Sequence, residues 1–316
     1  MDSDGDGLAD AREREVGTDP TLPDSDDDGL TDESEVDQFD TDPLRLDTDG
    51  DSVNDSEEVT THGTDPAVND SDGDGLADGR EVTSLRTEPT NPDTDGDGFA
   101  DGAELSDLQY LNGSDPLRMD VFVEVDYVEG VQFKPGTREL VTRRYSEAPV
   151  TNPDGTNGIS LHIIVDEEVP DVGTVDGQKV DKLQSEWFDR RGYGYHYAVA
   201  VKDVESDGND VGGLAGHGPH GPWFVFNARG NYRGAASVFM HELGHSVGLS
   251  PSDYEGIDSR SVSLSKYPST MNYNSGKYHT RYARKGPFDD WAHIAEQMDT
   301  PEMSAVNPGV NETRSN

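Results

Sequence analysis

Two histidines four residues apart, with a glutamate between them, are the part of this chain best suited to chemistry: His241, Glu242 and His245 in "SVFMHELGHSVGL". On a helix, residues i and i+4 share a face, so both imidazoles can meet one cation while the carboxylate one step round reaches a water beside it. Zinc fits such a set. It acidifies a bound water, and the glutamate takes that water's proton and later passes it to the leaving amine. A catalytic zinc asks for three protein ligands and one open position, so a third ligand has to come from outside the motif.

A second chemistry is written five times near the start of the chain. "DSDGDGLADARE", "DSDDDGLTDESE", "DTDGDSVNDSEE", "DSDGDGLADGRE" and "DTDGDGFADGAE" begin at Asp2, Asp24, Asp47, Asp70 and Asp93, which makes an internal repeat of 22 to 23 residues. Carboxylates recur at loop positions 1, 3, 5, 9 and 12, as an EF-hand-type calcium loop requires. They are Asp2, Asp4, Asp6, Asp10 and Glu13 in the first loop and Asp24, Asp26, Asp28, Asp32 and Glu35 in the second. The third has Asp47, Asp49, Asp51, Asp55 and Glu58; the fourth has Asp70, Asp72, Asp74, Asp78 and Glu81; the fifth has Asp93, Asp95, Asp97, Asp101 and Glu104. Position 7 supplies a backbone carbonyl and position 12 a bidentate Glu. Glycine at position 6 allows the sharp turn, and Ser52 in its place marks the third loop as the weakest. A short helical stretch and a stop such as "GTDP" follow each loop, with no apolar entering helix, so these are not paired EF-hands.

The elements that must position the histidines begin at Met119. "MDVFVEVDYV" alternates apolar and polar residues and predicts an antiparallel or edge strand. "TRELVTRRYSEA" predicts an amphipathic helix, "NPDG" a turn and "ISLHIIVDE" a buried strand. "DKLQSEWFDRR" predicts a helix, "YHYAVAVKDV" a strand, and "WFVFNA" a short strand after a Gly-rich loop. A helix over "GAASVFMHELGHSVGL" should stop at Gly248, and "PFDDWAHIAEQM" gives a last helix with Pro287 near its start. The expected architecture is an irregular calcium-loop array over 1–118 followed by an α+β domain over 119–316, with a mixed sheet and an active-site helix.

Charge divides the chain at the same place. The whole carries −42, but residues 1–118 hold 37 Asp and Glu against 6 Arg, a net −31, leaving −11 for the rest. Five calcium ions would bring the first segment to −21, and without a cation its crowded carboxylates should unfold it. A field of this sign repels nucleic acid and anionic membrane. No cysteine is present, and no apolar run reaches the length of a membrane span. Modest calcium sites fill outside a cell and not in the cytosol, which argues for an extracellular or cell-surface location. Met1 leads straight into a repeat with no signal peptide, so further sequence upstream is expected.

The loops over 1–118 resemble thrombospondin type 3 repeats, and the resemblance implies a calcium-binding stalk. Residues 237–273 resemble the metzincin zinc metalloendopeptidases: H-E-x-x-H-x-x-G runs from His241 to Gly248, and "STMNY" sets Met271 as the methionine turn. That likeness implies His241 and His245 as zinc ligands, Glu242 as base, Met271 as the floor of the site, and Tyr273 as a further ligand or oxyanion donor. It also puts the third ligand ten residues after His241, where this chain has Pro251, which offers no donor. Asp253, two residues on, is the leading substitute, since a slightly longer turn could carry its carboxylate to the metal. Asp258 and Glu255 are alternatives, and so are His217 and His220 in "GGLAGHGPHGPW", which could instead hold a structural ion or nothing. His162 and His196 read as packed or surface residues, and His62, His279 and His293 form no constellation.

The leading function is a calcium-dependent zinc endopeptidase, with a polypeptide laid along an edge strand such as "WFVFN". The competing functions are a non-catalytic, calcium-dependent adhesion module whose protease-like domain has lost its metal, and a zinc hydrolase acting on something other than peptide.

Overall fold

The computed structural model describes residues 1–303 apart from 107, 207, 208, 277, 285, 299 and 302. It contains two compact units: Met1–Thr94 with Ala100–Gly102, and Asp95–Phe99 with the chain from Ala103 onward.

The first unit repeats one motif. A loop of alternating aspartates runs into a short helix: α1 (Asp10–Val16), α2 (Asp32–Ser34), α3 (Asp55–Glu57) and α4 (Asp78–Arg80), with α5 (Asp101–Glu104) closing the series. After α2, α3 and α4 the chain winds on in a wider turn over Glu35–Phe39, Glu58–His62 and Glu81–Leu85. A left-handed residue (Gly17, Asp40, Gly63 or Arg86) then ends each helix. The threonine that follows has a task the "TDP" stop did not reveal. Thr41, Thr64 and Thr87 donate their hydroxyls to one oxygen of Glu35, Glu58 and Glu81 at 3.3, 3.0 and 2.9 Å. Successive repeats are tied by the aspartate at position 5. Asp6, Asp28 and Asp74 accept from the amides of Glu33, Ser56 and Gly102 at 3.1, 3.0 and 2.8 Å, and Asp51 accepts from Gly79. Apolar packing is sparse, amounting to one buried residue per loop: Leu8, Leu30, Val53 and Leu76.

The second unit is an α+β fold around a five-stranded mixed sheet in the order β2-β1-β3-β7-β6. Strands β1 (Asp120–Val128), β2 (Ser160–Val169), β3 (Tyr195–Val201) and β7 (Gly221–Asn227) are parallel. Strand β6 (Gly213–Gly218) pairs antiparallel with β7 and forms one edge. A separate hairpin joins β4 (Val204–Ser206) to β5 (Asn209–Val211). Helices α6 (Pro135–Ser146), α7 (Gly177–Trp187), α8 (Tyr232–Ser246) and α9 (Asp290–Gln297) complete the unit. Alternation along β7 sorts two of them to opposite faces. Phe224 and Phe226 meet Phe239 of α8 at ring separations of 5.0 and 5.1 Å, while the indole of Trp223 donates to Asp181 of α7 at 2.8 Å.

Three expectations about strands are corrected. Strand β1 is interior and parallel on both sides, because the polar residues that suggested an edge are buried with partners. Asp120 meets His162, Glu124 accepts from Arg190 at 2.9 Å, and Asp126 accepts from the Tyr197 hydroxyl at 2.8 Å. Strand β2, expected to be buried, is the other edge of the sheet, with Val165 37% exposed. "WFVFN" is interior, and its edge position is taken by β6, drawn from the stretch read as a Gly-rich loop.

The fifth loop contributes to this second core. Phe99 is 1% exposed and packs edge-to-face on Phe122 at 5.3 Å, and Asp97 accepts from the amide of Asp120, the first residue of β1, at 2.6 Å. Truncating a buried Phe to Ala costs about 3–5 kcal/mol. Phe99→Ala in the full chain should therefore lower the unfolding midpoint read by tryptophan emission, since Trp187, Trp223 and Trp291 all belong to the second unit. An unchanged midpoint would remove Phe99 from that core.

Candidate metal centre

Helix α8 brings the two histidines together. Asn231 caps its start, accepting from the amides of Arg233 and Gly234 at 3.0 and 3.1 Å. Its inner face is closed by Phe239, Met240 and Leu243, all fully buried. After Val247 the chain turns back at Gly248, whose φ of 106° favours glycine. That reversal aims the Leu249 carbonyl at His245, whose Nδ1 lies 2.8 Å from it. His241 Nδ1 meets the Thr270 carbonyl at 2.9 Å. With each Nδ1–H donated to a carbonyl, the neutral imidazoles present Nε2 as a lone pair, the tautomer a metal needs.

The carboxylate between those two nitrogens is Asp258. One of its oxygens lies 3.0 Å from His241 Nε2 and 3.3 Å from His245 Nε2, and the three ligand atoms fall within 4.8 Å of one another. Asp253, the leading expectation, is turned elsewhere. Its carboxylate accepts from the Ser250 amide at 2.7 Å and stands 3.5 Å from His293, because Ser250, Pro251 and Ser252 close a tight turn instead of extending toward the histidines. The chain then passes through buried Gly256 and Ile257 before returning to the site. Asp258 arrives with a left-handed φ of 56° and its amide bonded to the Met271 carbonyl at 2.8 Å. Aspartate tolerates that conformation, at an order-of-magnitude cost of about 1–2 kcal/mol. Thr270 and Met271 thus orient two of the three candidate ligands through adjacent carbonyls.

Met271 is fully buried beneath the helix. Gly244 makes room for it: a Cβ there would lie 2.5 Å from the Met271 sulfur and 3.1 Å from the Tyr282 hydroxyl oxygen. The expected glycine and methionine therefore meet each other. Glu242 is 7% exposed and lies against β6, where a Cβ on Gly213 would come within 2.5 Å of its Cγ. The sequence reading missed that glycine, and only the strand pairing explains it. The Tyr273 ring stacks on His241 at 5.3 Å. His217 lines the same cleft, whereas His220 engages Gln184 through its amide, and neither joins the three ligands. Glu255 is exposed and pairs with Lys266 at 3.4 Å. His162 packs on Phe122, and His196 is buried against Ser246 at 2.8 Å.

Electrostatics in the cleft follow from burial and this convergence. Burial pushes the Glu242 carboxyl above its ordinary range, and the neighbouring imidazoles only partly oppose it. Burial acts the same way on Asp258, but hydrogen bonds from both histidines outweigh it and hold the carboxyl well below the usual range. For His241, burial disfavours the charged ring, yet Asp258, Glu242 and the Thr270 carbonyl together raise its pKa. The Tyr273 hydroxyl is pushed up to about 12 by burial and by the charges of Asp258 and Glu242. The bonds from the two histidines to Asp258 need a proton on each Nε2; once the rings are neutral, two imidazole lone pairs and a carboxylate face one another and repel unless a cation lies among them. Two nitrogens and one oxygen are a donor set that zinc accepts.

The repeat loops make a different kind of cation site, built of oxygen alone. Glu13, Glu35, Glu58 and Glu81 are fully buried, and at least one carboxylate oxygen of each has no hydrogen-bond partner. The same is true of one oxygen of Asp4, Asp26, Asp49 and Asp72. Orphaned buried oxygens at positions 3 and 12 of four loops are what hard oxygen-seeking cations require, and calcium takes six to eight such ligands. The aspartate at position 9 is held by the residue at position 2: Asp32, Asp55, Asp78 and Asp101 each accept an amide and a hydroxyl from Ser25, Thr48, Ser71 and Thr94. Asp78 lies with Asp51 and Glu58 of the preceding repeat, a relation between neighbours that spacing within one loop does not reveal.

The family model described as Bacterial TSP3 repeat matches residues 2–23, 24–45, 47–68, 70–92 and 93–118. The N-terminal part of the chain is thus five bacterial TSP3 repeats, with carboxylates arranged for calcium. Among solved structures, the chain is similar to the crystal structure of metalloproteinase-II from Bacteroides fragilis, with 11% identity and a TM-score of 0.40. That likeness covers 57% of this chain and 53% of the other, so this chain spans about half the length of that protein. Comparison with curated proteins gives no match. No described helix is long and apolar enough to cross a membrane.

Burial and mutual repulsion push Glu35, Glu58 and Glu81 up to about 8, Asp72 to about 7, and Asp26 and Asp49 to about 6. Their unfolded values are about 4, so without a cation the folded repeats bind more protons than the unfolded chain. Stability then falls as pH rises from about 4 to 8. In excess chelator, the far-ultraviolet circular dichroism of the repeats should be retained near pH 5 and lost near pH 8, and millimolar calcium should restore it at pH 8. A chelated protein that gains structure with rising pH would contradict this account.

Proposed function

We propose that the second unit is a zinc-dependent endopeptidase of metzincin type, and that the TSP3 repeats form its calcium-stabilised stalk outside the cell. The observation that carries this reading is the meeting of His241, His245 and Asp258 beside a buried glutamate in one cleft of about 790 Å³. His241, His245 and Asp258 would hold the zinc, which when bound supplies an acidified water and a Lewis acid.

The protein's own groups supply the rest. Glu242, poised above the ordinary carboxylate range, accepts the proton of the attacking water and hands it to the leaving amine. Tyr273, still protonated at neutral pH, would donate its hydroxyl proton in a hydrogen bond to the oxyanion of the substrate carbonyl. Strand β6 lines the cleft and has no strand on its outer side among the described residues, so an extended peptide can add there through backbone hydrogen bonds. The repeats, filled by calcium where it is abundant, support the extracellular setting.

Three substitutions test this. Asp258→Ala removes one of three ligands and should empty the zinc site under dialysis conditions in which Asp253→Ala keeps about one zinc per chain, measured by atomic emission. The reverse pattern would return the ligand to Asp253. Glu242→Gln should keep its zinc while turnover of a protein substrate falls by about two to four orders of magnitude. Undiminished proteolysis in that variant would end the general-base assignment.

A further inference from the structure

One guanidinium lies on the cleft wall in no ion pair among the described residues. Arg260 is the single Arg or Lys among the described residues that line the cleft. It is exposed, and its guanidinium carbon sits 5.6 Å from the centroid of the Tyr273 ring. No described carboxylate lies within ion-pairing distance of it, in a chain where 66 acidic residues face 24 basic ones. The two acids beside it in the cleft are committed, Asp258 to the histidines and Glu242 to its place against β6. The aromatic contact fixes where the cation stands without neutralising it.

Tyr273 also fixes the distance to the reacting centre. Its ring stacks on His241 at 5.3 Å, so the steps from imidazole to phenol to guanidinium span at most about 11 Å. An extended peptide covers that length in about three residues.

We propose that Arg260 selects the substrate, receiving a carboxylate that the peptide carries within about three residues of the bond that is cut. The carboxylate belongs to an Asp or Glu side chain or to the peptide's own C-terminus. The guanidinium fork matches either, pairing both oxygens at once, which a lysine would do less well. The net charge of −42 works against acidic substrates at long range, so the selection has to be made locally, at the wall. This inference rests on the endopeptidase reading.

The zinc- and calcium-loaded full chain would be given internally quenched peptides that differ only by Glu, Gln or Lys at each of three positions on either side of the cleaved bond. Matched pairs with free and amidated C-termini form a second set. At one position, or at the free C-terminus, kcat/KM for the carboxylate should exceed that for its lysine or amide counterpart by about tenfold. Arg260→Glu should invert the Glu-over-Lys ratio, which a merely misfolded variant could not do, and Arg260→Lys should retain part of it. An effect confined to the free C-terminus identifies that carboxylate as the one received. Equal cleavage of all peptides, or a Glu preference that survives Arg260→Glu, overturns the assignment of Arg260 while leaving the endopeptidase standing. A wild-type protein that cleaves neither these peptides nor an unfolded protein overturns both.

Discussion

A carboxylate removed from water needs a proton, a cation or several donors beside it, because desolvation alone costs more than the few kcal/mol by which a domain is stable. This chain buries carboxylates in every part described. Glu13, Glu35, Glu58 and Glu81 are fully covered in the repeats, as are Glu124 and Asp126 in the first strand of the sheet, with Glu242 7% exposed in the cleft. Each group is reconciled with burial differently. In the sheet the answer is internal: Arg190 and the amides of Asp189 and Arg190 surround Glu124, and Tyr197 donates to Asp126. The repeats offer mainly serine and threonine hydroxyls and amides, and those leave oxygens over. The buried carboxylates of the first unit are therefore left needing a proton or a cation, where those of the sheet are not.

The same constraint explains how the candidate metal site is assembled. A helix can offer two imidazoles on one face, but an acid held beside them must be brought from elsewhere and aimed. Backbone carbonyls do most of the aiming: Leu249 for His245, Thr270 for His241, and Met271 for the amide of Asp258. The turn at Met271 is thus more than an apolar floor, since the Thr270 and Met271 main chain orients His241 and Asp258 while the Met271 side chain fills the space Gly244 leaves.

Much of this was legible in the residues. Helical spacing put His241 and His245 on one face, Gly248 marked the end of the helix, and five loops in register declared a cation array, because all of these depend on contacts close in sequence. What escaped depended on the path of a loop or on a distant partner. Nothing local distinguishes Asp253 from Asp258; the difference lies in a turn closed by Ser250 and a left-handed aspartate five residues later. Strand β6 reads as a loop because its glycines are there for Glu242 and Trp223, which pack where side chains would stand. Strand β1 reads as an edge because its acids have partners on other strands and loops. Phe99 reads as one more loop residue, although its ring belongs to the second core.

The links between neighbouring repeats also have a mechanical meaning. Each centres on one aspartate that holds a loop with one hydrogen bond and the amide of the next helix with another, as Asp28 does for Leu30 and Ser56, whose hydroxyl also donates to the Asp28 carbonyl. A pull on the chain ends would be carried from repeat to repeat through such bonds in series, so the weakest yields first and its neighbours remain closed. Each yielding repeat releases 22 to 23 residues, about 75–80 Å of extended chain. Extension would then come in steps of nearly equal length, and calcium concentration would set the force at which they begin.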